Sequence, residues 1–119
     1  MYHKLSKIFI FSIVPKRNPR ITEMDRTSAM TAQLRWELLT LEELGGFLTN
    51  YTVKHNQQDA RVCPDSPPGS SETLFSEDDG AFIANLDPSF EYCVYIAAST
   101  VAGVGIYSEG RIPCKTTPF

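Results

Sequence analysis

Leu86-Asp-Pro-Ser-Phe-Glu-Tyr92-Cys-Val-Tyr-Ile-Ala-Ala98 reads as a turn that runs into a strand. Pro88 sets φ near the value a turn needs, and Tyr92, Val94, Ile96 and Ala98 recur at every second position, which puts their side chains on one face of a strand. That face is predicted core. The Leu86-x-Pro88-x-x-x-Tyr92 spacing is also that of a tyrosine corner, in which a Tyr at the start of a strand buries its ring and returns its hydroxyl to backbone a few residues upstream. Such a corner belongs to a β-sandwich. Downstream, Ala98-Ser-Thr-Val-Ala-Gly103-Val-Gly105-Ile-Tyr-Ser108 carries the strand into two glycines and then into a second β-rich run, which predicts a hairpin.

Working back toward the N-terminus, Ala81–Asn85 predicts the preceding strand, with Ala81 and Ile83 inward. Thr31–Trp36 alternates cleanly, with Leu34 and Trp36 inward and Gln33 and Arg35 toward water. An alternating Trp beside a tyrosine corner is a central core residue rather than a binding platform. Phe47–His55 predicts another strand, with Leu48, Tyr51, Val53 and His55 as candidates for the inner face. The predicted core is therefore Leu34, Trp36, Tyr51, Val53, Ile83, Leu86, Tyr92, Val94 and Ile96. Between these strands, Leu38–Gly46 has leucines at helical spacing but is too short for a helix to stand alone. It is expected to be a loop whose leucines fold partly onto the sandwich end, with an apolar contact patch as the alternative. Ile21–Met24 reads as a short first strand at an edge. Gln57–Asp79 is low in apolar residues and contains Cys63-Pro-Asp-Ser-Pro-Pro-Gly-Ser-Ser71, so it is expected to be mostly loop, with a short strand near Ala60–Val62. The last strand is expected over roughly Tyr107–Thr116, interrupted or at an edge because of Pro113.

The chain has 119 residues, 42% hydrophobic, enough for one core. The net charge of -3 is unevenly spread, because Met1–Arg26 holds six of the eleven Lys and Arg but only two of the fourteen Asp and Glu. The remainder is acidic, which argues against a nucleic-acid surface. No apolar run approaches the ~20 residues of a membrane helix. Lys4–Val14 has the basic start and apolar stretch of a signal peptide without a small-residue cleavage site; a terminal strand of a preceding domain or an arbitrary fragment start are the alternatives. Two prolines, Pro15 and Pro19, mark a linker. Residues 1–19 are accordingly expected to be leader or linker outside the fold, and residues 20–119 the domain.

The second half resembles the fibronectin type III family, whose F strand and following loop read Leu-x-Pro-x-Thr-x-Tyr, then Ala-x-Asn-x-x-Gly-x-Gly-x-x-Ser. Leu86, Pro88, Tyr92, Ala98, Gly103, Gly105 and Ser108 match, with Phe90 and Thr100 in place of the usual Thr and Asn. The resemblance implies an all-β, immunoglobulin-like sandwich of seven antiparallel strands. Leu34-Arg-Trp-Glu-Leu-Leu-Thr-Leu-Glu-Glu-Leu-Gly-Gly-Phe-Leu-Thr-Asn-Tyr-Thr-Val53 is similar, more narrowly, to the membrane-proximal domains of tall class I cytokine receptors related to the signal-transducing chain of the interleukin-6 family. Gly45 replaces an Asn of that pattern. Ile106-Tyr-Ser-Glu-Gly110 lacks both tryptophans of that family's Trp-Ser-x-Trp-Ser motif, which implies a spacer domain and not the hormone-binding module. The partners implied are receptor chains or neighbouring domains of the same chain, and the location implied is the cell surface or outside it.

Sites for chemistry are few. No Ser/His/Asp set, nucleophile elbow or phosphate loop occurs, and Cys63, Cys93 and Cys114 have no metal-ligand spacing, so no catalytic residue, cofactor, metal or small-molecule substrate is expected. Glu77-Asp-Asp79 lacks the spaced ligands of a calcium loop and reads as a solvated acidic turn. His55 reads as a strand-end histidine. Asn50-Tyr-Thr52 is an N-glycosylation sequon whose Asn should face solvent, because Tyr51 faces in. If Ser99 and Ser108 close the hairpin opposite each other, Cys93 falls opposite Cys114 and the two are candidates for a cross-strand disulfide. Cys63 is then unpaired, or bonded to another chain or domain; three free thiols are the alternative.

Overall fold

The computed structural model of the chain describes residues 13–58, 63–69 and 71–113. Their strands are β1 (Ile21–Ser28), β2 (Thr31–Trp36), β3 (Asn50–Gln58), β4 (Glu72–Ser76), β5 (Gly80–Ile83), β6 (Glu91–Thr100), β7 (Gly103–Val104) and β8 (Ser108–Ile112), with one helical turn, α1 (Leu41–Leu44), between β2 and β3. Every pairing is antiparallel. One sheet has the order β1-β2-β5; the other runs β4-β3-β6, with β7 and β8 both following on β6. Counted as one interrupted strand, β7 and β8 make seven among the described residues.

Alternation along the strands builds the core between the sheets. Leu34 and Trp36 of β2, Tyr51 and Val53 of β3, Ile83 of β5 and Tyr92, Val94 and Ile96 of β6 are all buried in one cluster, joined by Leu86, Leu44 and Ile112. The Trp36 and Tyr51 rings lie 5.5 Å apart and tilted, one of the offset arrangements aromatic pairs prefer. Tyr92 completes its corner by accepting a 2.6 Å hydrogen bond from the Asp87 backbone N–H.

Several elements depart from the expectations above, each for a local reason. β1 continues to Ser28 because register shifts after Ile21 and after Arg26 break the period that would have revealed it. Leu41–Leu44 is helical where a loop was expected. Its sequence Thr40-x-x-Glu43 is a capping box: the Glu43 N–H donates to Thr40 Oγ1 at 3.3 Å and the Thr40 N–H to Glu43 Oε1 at 2.9 Å. Gly45 closes the turn at φ 74, a left-handed value that favours glycine. Leu44 is buried, whereas Leu38 and Leu41 are exposed. Within the expected long loop, Glu72–Ser76 forms an edge strand on β3; only Leu74 packs against the core, so its pattern is faint. The strand expected near Ala60–Val62 lies outside the described residues.

The hairpin register is also corrected. Ser99 opposes Val104 and not Ser108, which instead opposes Ile96. The turn is tighter than the two glycines implied, because Thr100 already pairs with Gly103. Gly105 serves a different purpose: a Cβ there would stand 2.5 Å from the Pro15 carbonyl oxygen. Residues 13–19 therefore pack against the sandwich, with Pro15 and Pro19 fully buried. A boundary drawn after Pro19 cuts through these contacts.

Candidate functional site

Among the described residues, no three His, Cys, Asp or Glu side chains converge on a place that could hold a metal ion. The features that distinguish the described residues are the outer face of the five-stranded sheet and the contacts that hold residues 13–20 and Pro113 to the body.

On the outer face, β6 alternates into a second cluster. Cys93, Tyr95 and Ala97 point away from the core, yet all are fully buried. Part of the cover comes from Cys63 and Pro64, bonded to the sheet through a Cys63–Cys93 disulfide. This corrects the expected pairing of Cys93 with Cys114. In the observed register Arg111 is the residue opposite Cys93, while Cys63, expected to be unpaired, is its partner. Cys114 lies outside the described residues. Beside the disulfide, the Tyr95 hydroxyl donates to the Pro64 carbonyl at 2.7 Å, and Tyr107 meets the Tyr95 ring edge-on at 6.3 Å. Burial raises the Tyr95 and Tyr107 hydroxyls above the ordinary tyrosine value. The sequence offered one signal for this cluster, the unbroken apolar run Tyr92–Ala98, which buries both faces of its strand.

Asn50 sits at the start of β3, partly exposed, on this same outer face. Thr52 of the sequon is buried, its hydroxyl 3.3 Å from that of Ser99.

The chain enters the body under restraint. The Ile13 N–H donates to the Gly45 carbonyl at 3.0 Å, Thr100 Oγ1 donates to the Ile13 carbonyl at 2.7 Å, and the Ser108 hydroxyl donates to the Pro19 carbonyl. Arg20 adds a 2.7 Å ion pair with Glu37. At the opposite pole Arg26 holds the exit. Its guanidinium donates to the backbone carbonyls of Ala29, Phe90 and Pro113 and lies 5.9 Å from the centre of the Tyr92 ring. Sequence reasoning placed neither clamp, because each depends on a contact between residues more than sixty positions apart, Ile13 with Thr100 and Arg26 with Phe90.

His55 is buried at the open side of the sandwich, 6.2 Å from the Tyr92 ring, beside a cavity of about 350 Å³. Asn56, Gln57, Glu72 and Asn85 also line it. His55 Nδ1 and Asn56 Oδ1 have no hydrogen-bond partner among the described residues. Burial holds the imidazole below its ordinary value, and the Glu72 carboxylate offsets this only in part. Two potential ligands and three amides do not make a catalytic or metal centre. At the acidic turn, Asp79 lies 3.6 Å from Arg35 and Asp78 accepts from Ser76, both in solvent.

Comparison with solved structures agrees with this architecture. The third fibronectin III domain of the human KIAA0343 protein superposes with a TM-score of 0.71 at 15% identity, covering 91% of this chain and 90% of that one. The FN1–FN3 domains of chicken CNTN1 give 0.69 at 15% identity over 86% of this chain and 33% of that one. A structure described as a myokine gives 0.60 at 13% identity, over 83% and 97%. No protein-family model and no curated protein matches the chain by sequence. The chain has the fibronectin type III fold.

Proposed function

We propose that this domain is a non-catalytic spacer and interaction module of an extracellular, cytokine-receptor-like cell-surface protein. The observation that carries the spacer reading is the pair of clamps at its poles. A domain that fixes both the entering and the leaving chain sets the angle between its neighbours, whereas a free linker would let them swing. The Cys63–Cys93 disulfide supports an oxidising compartment. The similarity of Leu34–Val53 to membrane-proximal receptor domains favours the cytokine-receptor branch. An adhesion module is the alternative, favoured by the likeness to the CNTN1 domains, and it shares compartment and fold. An intracellular scaffold module is disfavoured by the disulfide.

Native-state hydrogen exchange on the domain secreted from a eukaryotic cell tests the spacer reading. The Ile13 amide is expected to be protected well above an unstructured peptide; exchange at the unstructured rate would make the entry a hinge and remove the argument. Mass analysis after alkylation without reduction tests the compartment: one alkylated cysteine is expected, and three, despite efficient secretion, would move the scaffold module to first place.

A further inference from the structure

The outer face of the five-stranded sheet is covered over one half only. Toward Cys93 the disulfide-bonded residues lie across it; toward Asn50 Thr52, Ala97 and Ser99 are buried but Phe75 and Val104 stay exposed. The register defines what surrounds Asn50 there. Asn50 opposes Ser99, Ser99 opposes Val104, and Thr52 opposes Phe75, so these five residues share the outward face. None is charged. Phe75 is 64% exposed and Val104 44%, while Thr52 and Ser99 are buried. Phe75 stands one diagonal step from Asn50 across the β3-β4 ladder, a separation of roughly 7–8 Å.

We propose that Asn50 carries an N-linked glycan whose first sugars lie across Phe75 and Val104, closing the open half of this face. The inference rests on the extracellular reading above. Asn50-Tyr-Thr52 is the one complete sequon in the chain, and no hydrogen bond holds the Asn50 side chain among the described residues. A pyranose ring has an apolar C–H face that packs against an aromatic ring as other apolar groups do. Contact with Phe75, Val104, Thr52 and Ser99 desolvates no ion; Lys54, the next outward residue of β3, lies beyond Thr52. Burial of Thr52 does not oppose this, because the sequon is read on an extended chain before the sandwich closes over the hydroxyl. With both halves of this face covered, protein partners would be left the outer face of the three-stranded sheet, where Gln33 opposes the exposed Phe82 beside Arg35.

The test is an intact mass of the protein secreted from a eukaryotic cell, before and after enzymatic glycan removal, with thiols alkylated without reduction. One glycan is expected on the unaltered protein and none on Asn50→Gln. Phe75→Ala, a change at an exposed position, should keep the glycan attached but let a glycosidase release it from the folded protein about fivefold faster, the effect of losing one aromatic contact of ordinary strength. A bare Asn50 with Cys63–Cys93 formed would overturn the glycan and leave the extracellular reading standing. Equal release rates from the Phe75→Ala and unaltered proteins would overturn the seat. A bare Asn50 with three free thiols would sink both the proposal and the compartment on which it rests.

Discussion

The two buried clusters of this domain are made in different ways. The cluster between the sheets is assembled by alternation: each strand contributes every second side chain, and Trp36 of one sheet meets Tyr51 of the other because the two inner faces pack together. The cluster on the outer face, Cys63, Cys93 and Tyr95 with Tyr107 packed against it, has no second sheet to close it. Cys63 and Pro64 supply part of the cover, held by one covalent bond and one tyrosine hydroxyl. The first cluster defines the fold, and the second is an addition to it that covers one part of an outer face.

Substitutions can separate the two. Trp36→Ala should cost about 3–5 kcal/mol, a large share of the ~5–15 kcal/mol that holds a typical domain together, and so abolish cooperative unfolding in a denaturant titration or shift its midpoint drastically. Replacing Cys63 and Cys93 together by Ser should cost about 3–4 kcal/mol through the freed chain entropy. The residual transition should stay cooperative, and limited proteolysis should now cut within residues 63–71. A molten product in place of a folded, clipped one would mean that the outer cluster is part of the primary core.

Two hydroxyl deletions give a finer comparison. Tyr92→Phe leaves the Asp87 N–H without its acceptor at the corner and should cost about 1–2 kcal/mol; Tyr95→Phe releases a Pro64 carbonyl that water can reach, and should cost about 0.5–1 kcal/mol. Equal losses would erase the distinction between the clusters. The smallest effect belongs to His55, at the margin of the inner core. Its folded pKa lies below the unfolded value near 6.5, so the unfolded state binds the extra proton first as pH falls. Stability from this group is full above about pH 6.5 and declines as pH drops toward the folded pKa. Below about pH 6.5 the melting temperature should fall with pH more steeply for the unaltered protein than for His55→Gln, and equal slopes would remove the histidine from the account.

How much of this was legible follows from the same contrast. Leu34, Trp36, Tyr51, Val53 and the Leu86–Ile96 run announced themselves by period and by corner spacing, because inner-face packing leaves a periodic record in sequence. The outer cluster left no period. Cys63 lies thirty residues from Cys93, and placing it required the hairpin register that Gly103 and Gly105 concealed: one sits inside the strand pairing and the other makes room for Pro15. The open half of the outer face, with Asn50, was legible only as a tripeptide; Phe75 beside it became visible once β4 was paired. α1 was readable in principle from Thr40-x-x-Glu43, a four-residue signal outweighed by the segment's shortness.

The entry clamp has a mechanical corollary. A load applied along the chain would reach residues 13–19 before it reached any strand, acting on the bonds from Ile13 to Gly45 and Thr100 and from Ser108 to Pro19. Freeing those seven residues would pay out about 24 Å of extended backbone while β1 stays zipped to β2. Under tension the domain would thus lengthen once, reversibly, before it risked unfolding.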